Sequence, residues 1–267
     1  HTNSIITEEC TFDNPGIPKL NILPLPSKFE VLSSIFTKYI SIFGIAIVAS
    51  EDTPDNKVIH AASVLVDYLD NDENGIPDNT LVINSMIEKN ALLLILTEND
   101  HDNWESEINQ DNFQQFIMNY NLQDLYANEI HPEGSSSITG FDATLEEVLH
   151  LITTAGYRHA YPSIFGLNPG STIANYMDQA RGGYFPEVPT AYPDTAWFTY
   201  NDTTCSYGCM ITEYFYWALT SILGAQEYPG RLNEIQDEWT LNTPELVQSE
   251  DPNVYNLLTN PEYQLPH

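Results

Sequence analysis

Residues 210–225, MITEYFYWALTSILGA, are apolar on nearly every side. A helix of that kind is stable only when it is buried all round, so the rest of the chain has to wrap around it. Glu213 lies inside this segment. A buried carboxylate must either find a partner or hold a proton. Cationic partners are scarce, because the chain carries 8 Lys and Arg against 38 Asp and Glu, and the only arginines are Arg158, Arg181 and Arg231. A metal ion or a histidine is therefore the partner to look for. The plainer alternative makes Glu213 a first-turn residue of its helix, capped by Thr212.

The same imbalance gives a formal net charge of −30 over 267 residues. It argues against nucleic acid and anionic membrane as partners, since both repel such a surface, and it favours cations such as calcium. Solubility through net charge is the plain alternative. The longest apolar run, YISIFGIAIVAS at 39–50, falls short of the roughly 20 residues of a membrane span, so no membrane insertion is expected. Three cysteines occur. Cys205 and Cys209 could close a small disulfide, leaving Cys10 free, or Cys10 could pair with one of them. Asn201 begins an Asn-Asp-Thr glycosylation acceptor. Together these features point to a secreted, extracellular protein. No signal peptide is visible, and His1 is read as a mature N-terminus or an appended residue.

Helical and strand signals punctuate the chain. Residues 1–27 are rich in proline and read as an irregular arm, and 28–49 as a first helix or a strand pair. TPDNKVIHAASVLVDYLD predicts a helix with Thr53 as N-cap and Pro54 at its first position. Val58, Ala61, Ala62, Leu65 and Leu69 repeat at helical spacing. A second helix is expected over Thr80–Lys89, and ALLLILT at 91–97 reads as a buried strand. Residues 101–130 suggest one or two helices, 134–137 a loop, 171–180 a short helix, 184–200 a loop rich in Pro and Tyr, and 211–225 the apolar helix. LNEIQDEW adds a last helix before short helical turns. The sum is a predominantly helical α+β fold, one domain over 28–267 with a small sheet.

DNDENGIPD, Asp70–Asp78, is the most specific motif. Asp70, Asp72 and Asn74 are spaced by two, Gly75 permits a sharp turn, Ile76 offers a backbone carbonyl and Asp78 a further oxygen. These are the donors that a hard, oxygen-preferring cation requires. The loop, flanked by helices over 70–81, resembles EF-hand and thrombospondin-type calcium loops, and that resemblance implies bound calcium. It departs at the twelfth loop position, where an EF-hand has Glu and this chain has Leu81, which implies a structural rather than a switching site. A solvated acidic turn with Asp78 or Asn79 capping the next helix is the plain alternative.

In DATLEEVLHLITTAGY, residues 142–157, the apolar stripe is Leu145, Val148, Leu149, Ile152 and Gly156. Glu146, His150, Thr153 and Tyr157 fall on another face. Glu146 and His150, one turn apart, could hold one metal, with Glu147 as general base on metal-bound water. EEVLH resembles the HExxH helix of zincin metallopeptidases with Glu146 in place of the first histidine. That resemblance implies zinc as cofactor, a zincin-like fold and Glu213 as a downstream third ligand. Tyr214 or Tyr216 would be an oxyanion donor. His60 and His159 are spare candidates. The plain alternative is a capping box, with Thr144 as N-cap and Glu147 reaching back to its amide.

Two functions follow from these readings. One is a secreted, calcium-stabilised, zincin-like metalloprotein that hydrolyses peptides or has lost that activity. The other is an extracellular calcium-binding structural protein. It would meet a protein partner or form a homo-oligomer through loops such as YFPEVPTAYPDTAWFTY, whose Tyr and Trp suit an interface.

Overall fold

The computed structural model describes residues 20–267; His1 and Cys10 lie outside them. Strands β1 (Leu23–Pro24), β2 (Phe36–Ile42), β3 (Ile45–Ser50), β4 (Ala91–Leu96) and β5 (Asn121–Tyr126) form one sheet in sequence order. β1, β2 and β3 pair antiparallel, while β3–β4 and β4–β5 are parallel. The apolar stretch at 28–49 thus resolves into a 3₁₀ turn, Ser27–Leu32, and a hairpin. Phe43 and Gly44 both have positive φ, 49° and 87°, which gives the two-residue turn whose twist suits paired strands.

Helices α1 (Asp55–Leu69) and α2 (Thr80–Glu88) carry the chain from β3 to β4, and α3 (His101–Glu107) and α4 (Asp111–Ile117) carry it from β4 to β5. Both are the crossovers that parallel pairing demands. Helix α5 (Thr144–Leu151) continues into a π-helical turn, Ile152–Tyr157, then α6 (Arg158–Ala160), α7 (Pro162–Phe165) and α8 (Thr172–Ala180). Helix α9 (Tyr207–Ile222) is followed by α10 (Arg231–Ile235), α11 (Pro244–Glu250) and α12 (Pro252–Leu258). The result is one α+β body.

The alternation of strand side chains divides the core. Ile45, Ile47 and Ala49 of β3 and Ala91, Leu93 and Ile95 of β4 face a large cluster with α1, α2, α5 and α9. Ala46, Val48, Leu92, Leu94 and Leu96 face a smaller one with Phe29, Leu32 and Phe113. This two-sided burial explains why β4 is an unbroken apolar run. α9 is buried round most of its girth, as the sequence requires, from Tyr207 to Ser221.

Several expectations need correction. Helix α1 begins at Asp55, with Pro54 at the N-cap and no side-chain cap. Thr53 instead meets the Ser50 hydroxyl at 3.0 Å. Residues 101–130 include the strand β5 as well as two helices. Helix α9 starts at Tyr207, capped by Ser206, and the Thr212 hydroxyl donates to the Gly208 carbonyl. Glu213 is therefore in the second turn and not capped by Thr212. The helix of LNEIQDEW ends at Ile235.

Candidate metal centre

Helix α5 is positioned by Asp142. Its Oδ1 accepts from the backbone N–H groups of His131 (3.1 Å) and Thr144 (3.2 Å), and its Oδ2 lies 2.6 Å from His60 Nε2. The capping box expected of Thr144 and Glu147 does not form. The N-cap is Ala143, and among the described residues the buried Thr144 hydroxyl has no hydrogen-bond partner. With Asp142 serving the helix start, Glu147 turns toward β5, where its Oε2 accepts from Gln123 Nε2. His60 is thereby committed to Asp142, and His159 is exposed.

His150 is only 7% exposed and lies between carboxylates on both ring nitrogens. Nδ1 is 3.5 Å from Glu147 Oε2, and Nε2 is 3.6 Å from Glu213 Oε2 on α9. Glu146, Glu147 and His150 each bring a donor atom within 4.8 Å of the others. Among the described residues the buried Nε2 has no hydrogen-bond partner. Tyr216, three residues after Glu213, packs edge-on against the imidazole at 5.6 Å. Tyr200 from the Pro/Tyr-rich loop lies near Glu213, and burial together with that charge raises its hydroxyl. Tyr214 points elsewhere, donating to Asp251 at 2.6 Å.

Crowding of like charge in a buried place sets the titration of this group. Burial pushes Glu146 up to about 7, helped by the charges of Glu213 and Glu147. Glu213 is raised by burial and then by Glu147 and Glu238. Burial alone would lower His150, but the bond to Glu147 and the fields of Glu213 and Glu146 outweigh it and hold the ring up at about 9. Immediately after His150 the backbone opens into the π turn, where the Thr154 hydroxyl donates to the His150 carbonyl at 2.8 Å and meets Asn121 Oδ1 at 3.0 Å. Such π turns recur at functional sites.

The Asp70–Asp78 loop is a second acidic group. Donor oxygens of Asp70, Asp72 and Asp78 lie within 4.8 Å of one another. Asp70 is fully buried, and burial raises its carboxyl. It accepts from the N–H groups of Asn74 (3.1 Å) and Gly75 (2.8 Å). The Asn74 amide is turned to Asp72 at 2.8 Å, and Asp78 accepts from Asn71. Ile76 and Leu81 project outward, 65% and 54% exposed. Asn79 caps α2 by accepting from Val82 N–H. A cavity of about 380 Å³ adjoins the loop, lined by Asp72, Asp78, Leu258, Pro261 and Leu265 among others.

Cys205 and Cys209 form a disulfide, with Cα atoms 5.4 Å apart, and Asn201 beside it is exposed. In the loop 184–200, Phe198 is fully buried and the Trp197 indole donates to Asp251 at 2.9 Å, while Tyr184 is exposed. Among the described residues no helix is long and apolar enough to cross a membrane. Sequence reasoning missed Tyr200, Gln123 and Asp142. The i,i+3 spacing of Glu213 and Tyr216 could have singled out Tyr216 over Tyr214, but Gln123 was out of reach without β5. Compared with protein-family models, curated proteins and solved structures, the chain matches none.

Proposed function

We propose that this protein is a secreted metalloprotein with a hydrolase-type centre, in which Glu146, His150 and Glu213 hold a zinc ion and the Asp70–Asp78 loop holds a structural calcium. The observation that carries this reading is the Nε2 atom of His150: buried, without a hydrogen-bond partner among the described residues, and 3.6 Å from the Glu213 carboxylate of α9, while Glu147 of α5 faces the other ring nitrogen. A buried polar atom left in that state is costly unless something binds it, and imidazole with carboxylates is a donor set that zinc accepts. Glu147 supports it from behind. A ligating histidine ordinarily gives its other N–H to a carboxylate, which fixes the tautomer, and Glu147 stands there. Zinc, when bound, would supply Lewis-acid activation of water. Glu147 Oε1, the oxygen not engaged by Gln123 and His150, would take the proton.

For the calcium loop, the support is the convergence of Asp70, Asp72 and Asp78 on oxygen donors alone. The disulfide and the exposed Asn201 support an oxidising, extracellular setting. The structural-partner alternative is less supported, because Phe198 and Trp197 of its candidate contact loop turn inward. Elemental mass spectrometry of the purified protein and of His150→Ala tests the centre. Stoichiometric zinc lost in the variant supports it and warrants a screen for peptide hydrolysis. Calcium alone, unchanged by the substitution, overturns it.

A further inference from the structure

Asn74–Gly75 is the chain's only Asn-Gly pair. An asparagine loses its amide most readily before glycine, because no side chain shields the glycine nitrogen. In that reaction the Gly75 nitrogen gives up its proton to solvent base and bonds to Asn74 Cγ, and the side-chain amide leaves as ammonia. Water then opens the five-membered imide to aspartate or isoaspartate, so one water is taken up and one ammonia released. Asn74 is exposed, so solvent reaches the reacting amide. The folded loop opposes the chemistry at both reacting atoms. Gly75 N–H donates to Asp70 Oδ2 at 2.8 Å, and Asp70 Oδ1 accepts from Asn74 N–H at 3.1 Å. Asp70 accepts on both oxygens, as an ionised carboxylate does. An anion forming on the Gly75 nitrogen would stand beside that charge. Asp72 and Asp78 add theirs, with donor oxygens of all three within 4.8 Å of one another, and like charges so close repel strongly where water is partly excluded. The Asn74 side chain is pinned as well. Its Nδ2 donates to Asp72 Oδ2 at 2.8 Å, and its Oδ1 accepts from Ile76 N–H at 2.8 Å. Moving the amide for attack breaks both bonds.

We infer that Asn74 is a guarded deamidation site: Asp70 and Asp72 preserve its amide while the loop is closed, and opening of the loop exposes it to hydrolysis. The inference stands apart from the metal readings above, because it uses only bonds that the loop makes with itself. The product changes the loop. An aspartate at position 74 sets a carboxylate against Asp72 where a hydrogen bond stood, and an isoaspartate adds a methylene to the backbone next to Gly75, whose φ is 83°.

The test is the rate of amide loss at Asn74, followed by peptide mapping and mass spectrometry of the whole protein incubated in mildly alkaline buffer. The folded protein should lose the amide about 10- to 100-fold more slowly than the same chain unfolded in urea, the range that a hydrogen bond to a charged group gives. Asp70→Asn removes the charge beside the Gly75 nitrogen and should recover most of that difference. Asp72→Asn should recover less, because it frees only the Asn74 side chain. Asp70 is fully buried and Asp72 exposed, so Asp72→Asn, with its melting temperature measured alongside, keeps the test valid if Asp70→Asn fails to fold. Equal rates in the folded and unfolded chain overturn the inference. So does slower loss in Asp70→Asn, which would make Asp70 the base that promotes the reaction, and so does an unchanged rate in a folded Asp72→Asn.

Discussion

The two acidic groups of this protein are built in opposite ways. Asp70, Asp72 and Asp78 come from nine consecutive residues, and the loop answers many of its own polar groups: Asp70 takes the N–H groups of Asn74 and Gly75, and Asp78 those of Asn71. Glu146 and His150 come from α5 and Glu213 from α9, and among the described residues this group leaves a buried ring nitrogen 3.6 Å from a carboxylate without a hydrogen bond. A local loop can satisfy itself without an ion. An assembly of helices brings carboxylates together in a buried place where they repel, and a histidine charged between them, a proton on one of them or a bound cation offsets that repulsion.

The sharpest way to break this contrast is to exchange substitutions between the sites. His150→Ala should abolish zinc uptake and leave calcium content unchanged, while Asp72→Asn should weaken calcium and leave zinc unchanged. Elemental analysis of both variants decides it, and a common loss in either variant would mean that the two groups are not independent. Next in size is Gly156→Ala. A Cβ there would stand 2.7 Å from Val82 Cγ1 and 3.1 Å from Met86 Cγ, so the π turn and α2 would be forced apart at about 1–3 kcal/mol. Denaturant unfolding measures it, and an unchanged midpoint would refute the close contact.

Asp142 gives the pH dependence. Burial alone would raise its carboxyl, but the bond to His60 and those from the backbone N–H groups of Thr144 and His131 outweigh it and hold the carboxyl below the ordinary value of 3.8. Its contribution to stability is therefore complete above that value and is lost as pH falls through the lower folded pKa. Asp142→Asn should cost about 1–3 kcal/mol near neutrality and flatten the acid side of the stability curve. Equal acid sensitivity in both proteins would remove Asp142 from the account. The smallest effect expected is from Leu81→Glu at the exposed twelfth loop position. It should tighten calcium, read as a larger rise in melting temperature on calcium addition, with zinc binding untouched. No gain would place the loop outside the EF-hand pattern at that position.

Legibility followed locality. Helices α1 and α2 and strand β4 were readable because each carries its own signal: apolar spacing, or six apolar residues in a row. Strand β5 was not, because as an edge strand it buries little and places Gln123 and Asp124 among its apolar residues. The capping box at Thr144 was a local pattern overridden by a distant one. Asp142, held by His60 from α1, serves the helix start and releases Glu147 to β5.

The sequence by itself determined that a nearly all-apolar helix must be buried with Glu213 in it, that cations to pair with it are few, and that acids at spacing two surround Gly75. Tertiary structure alone decided that Glu147 and Glu213 face opposite nitrogens of His150, and that Tyr216, not Tyr214, packs against its ring. The reason is physical. Burial and spacing are properties of a segment, but which atom of a side chain is left without a partner depends on every element packed around it.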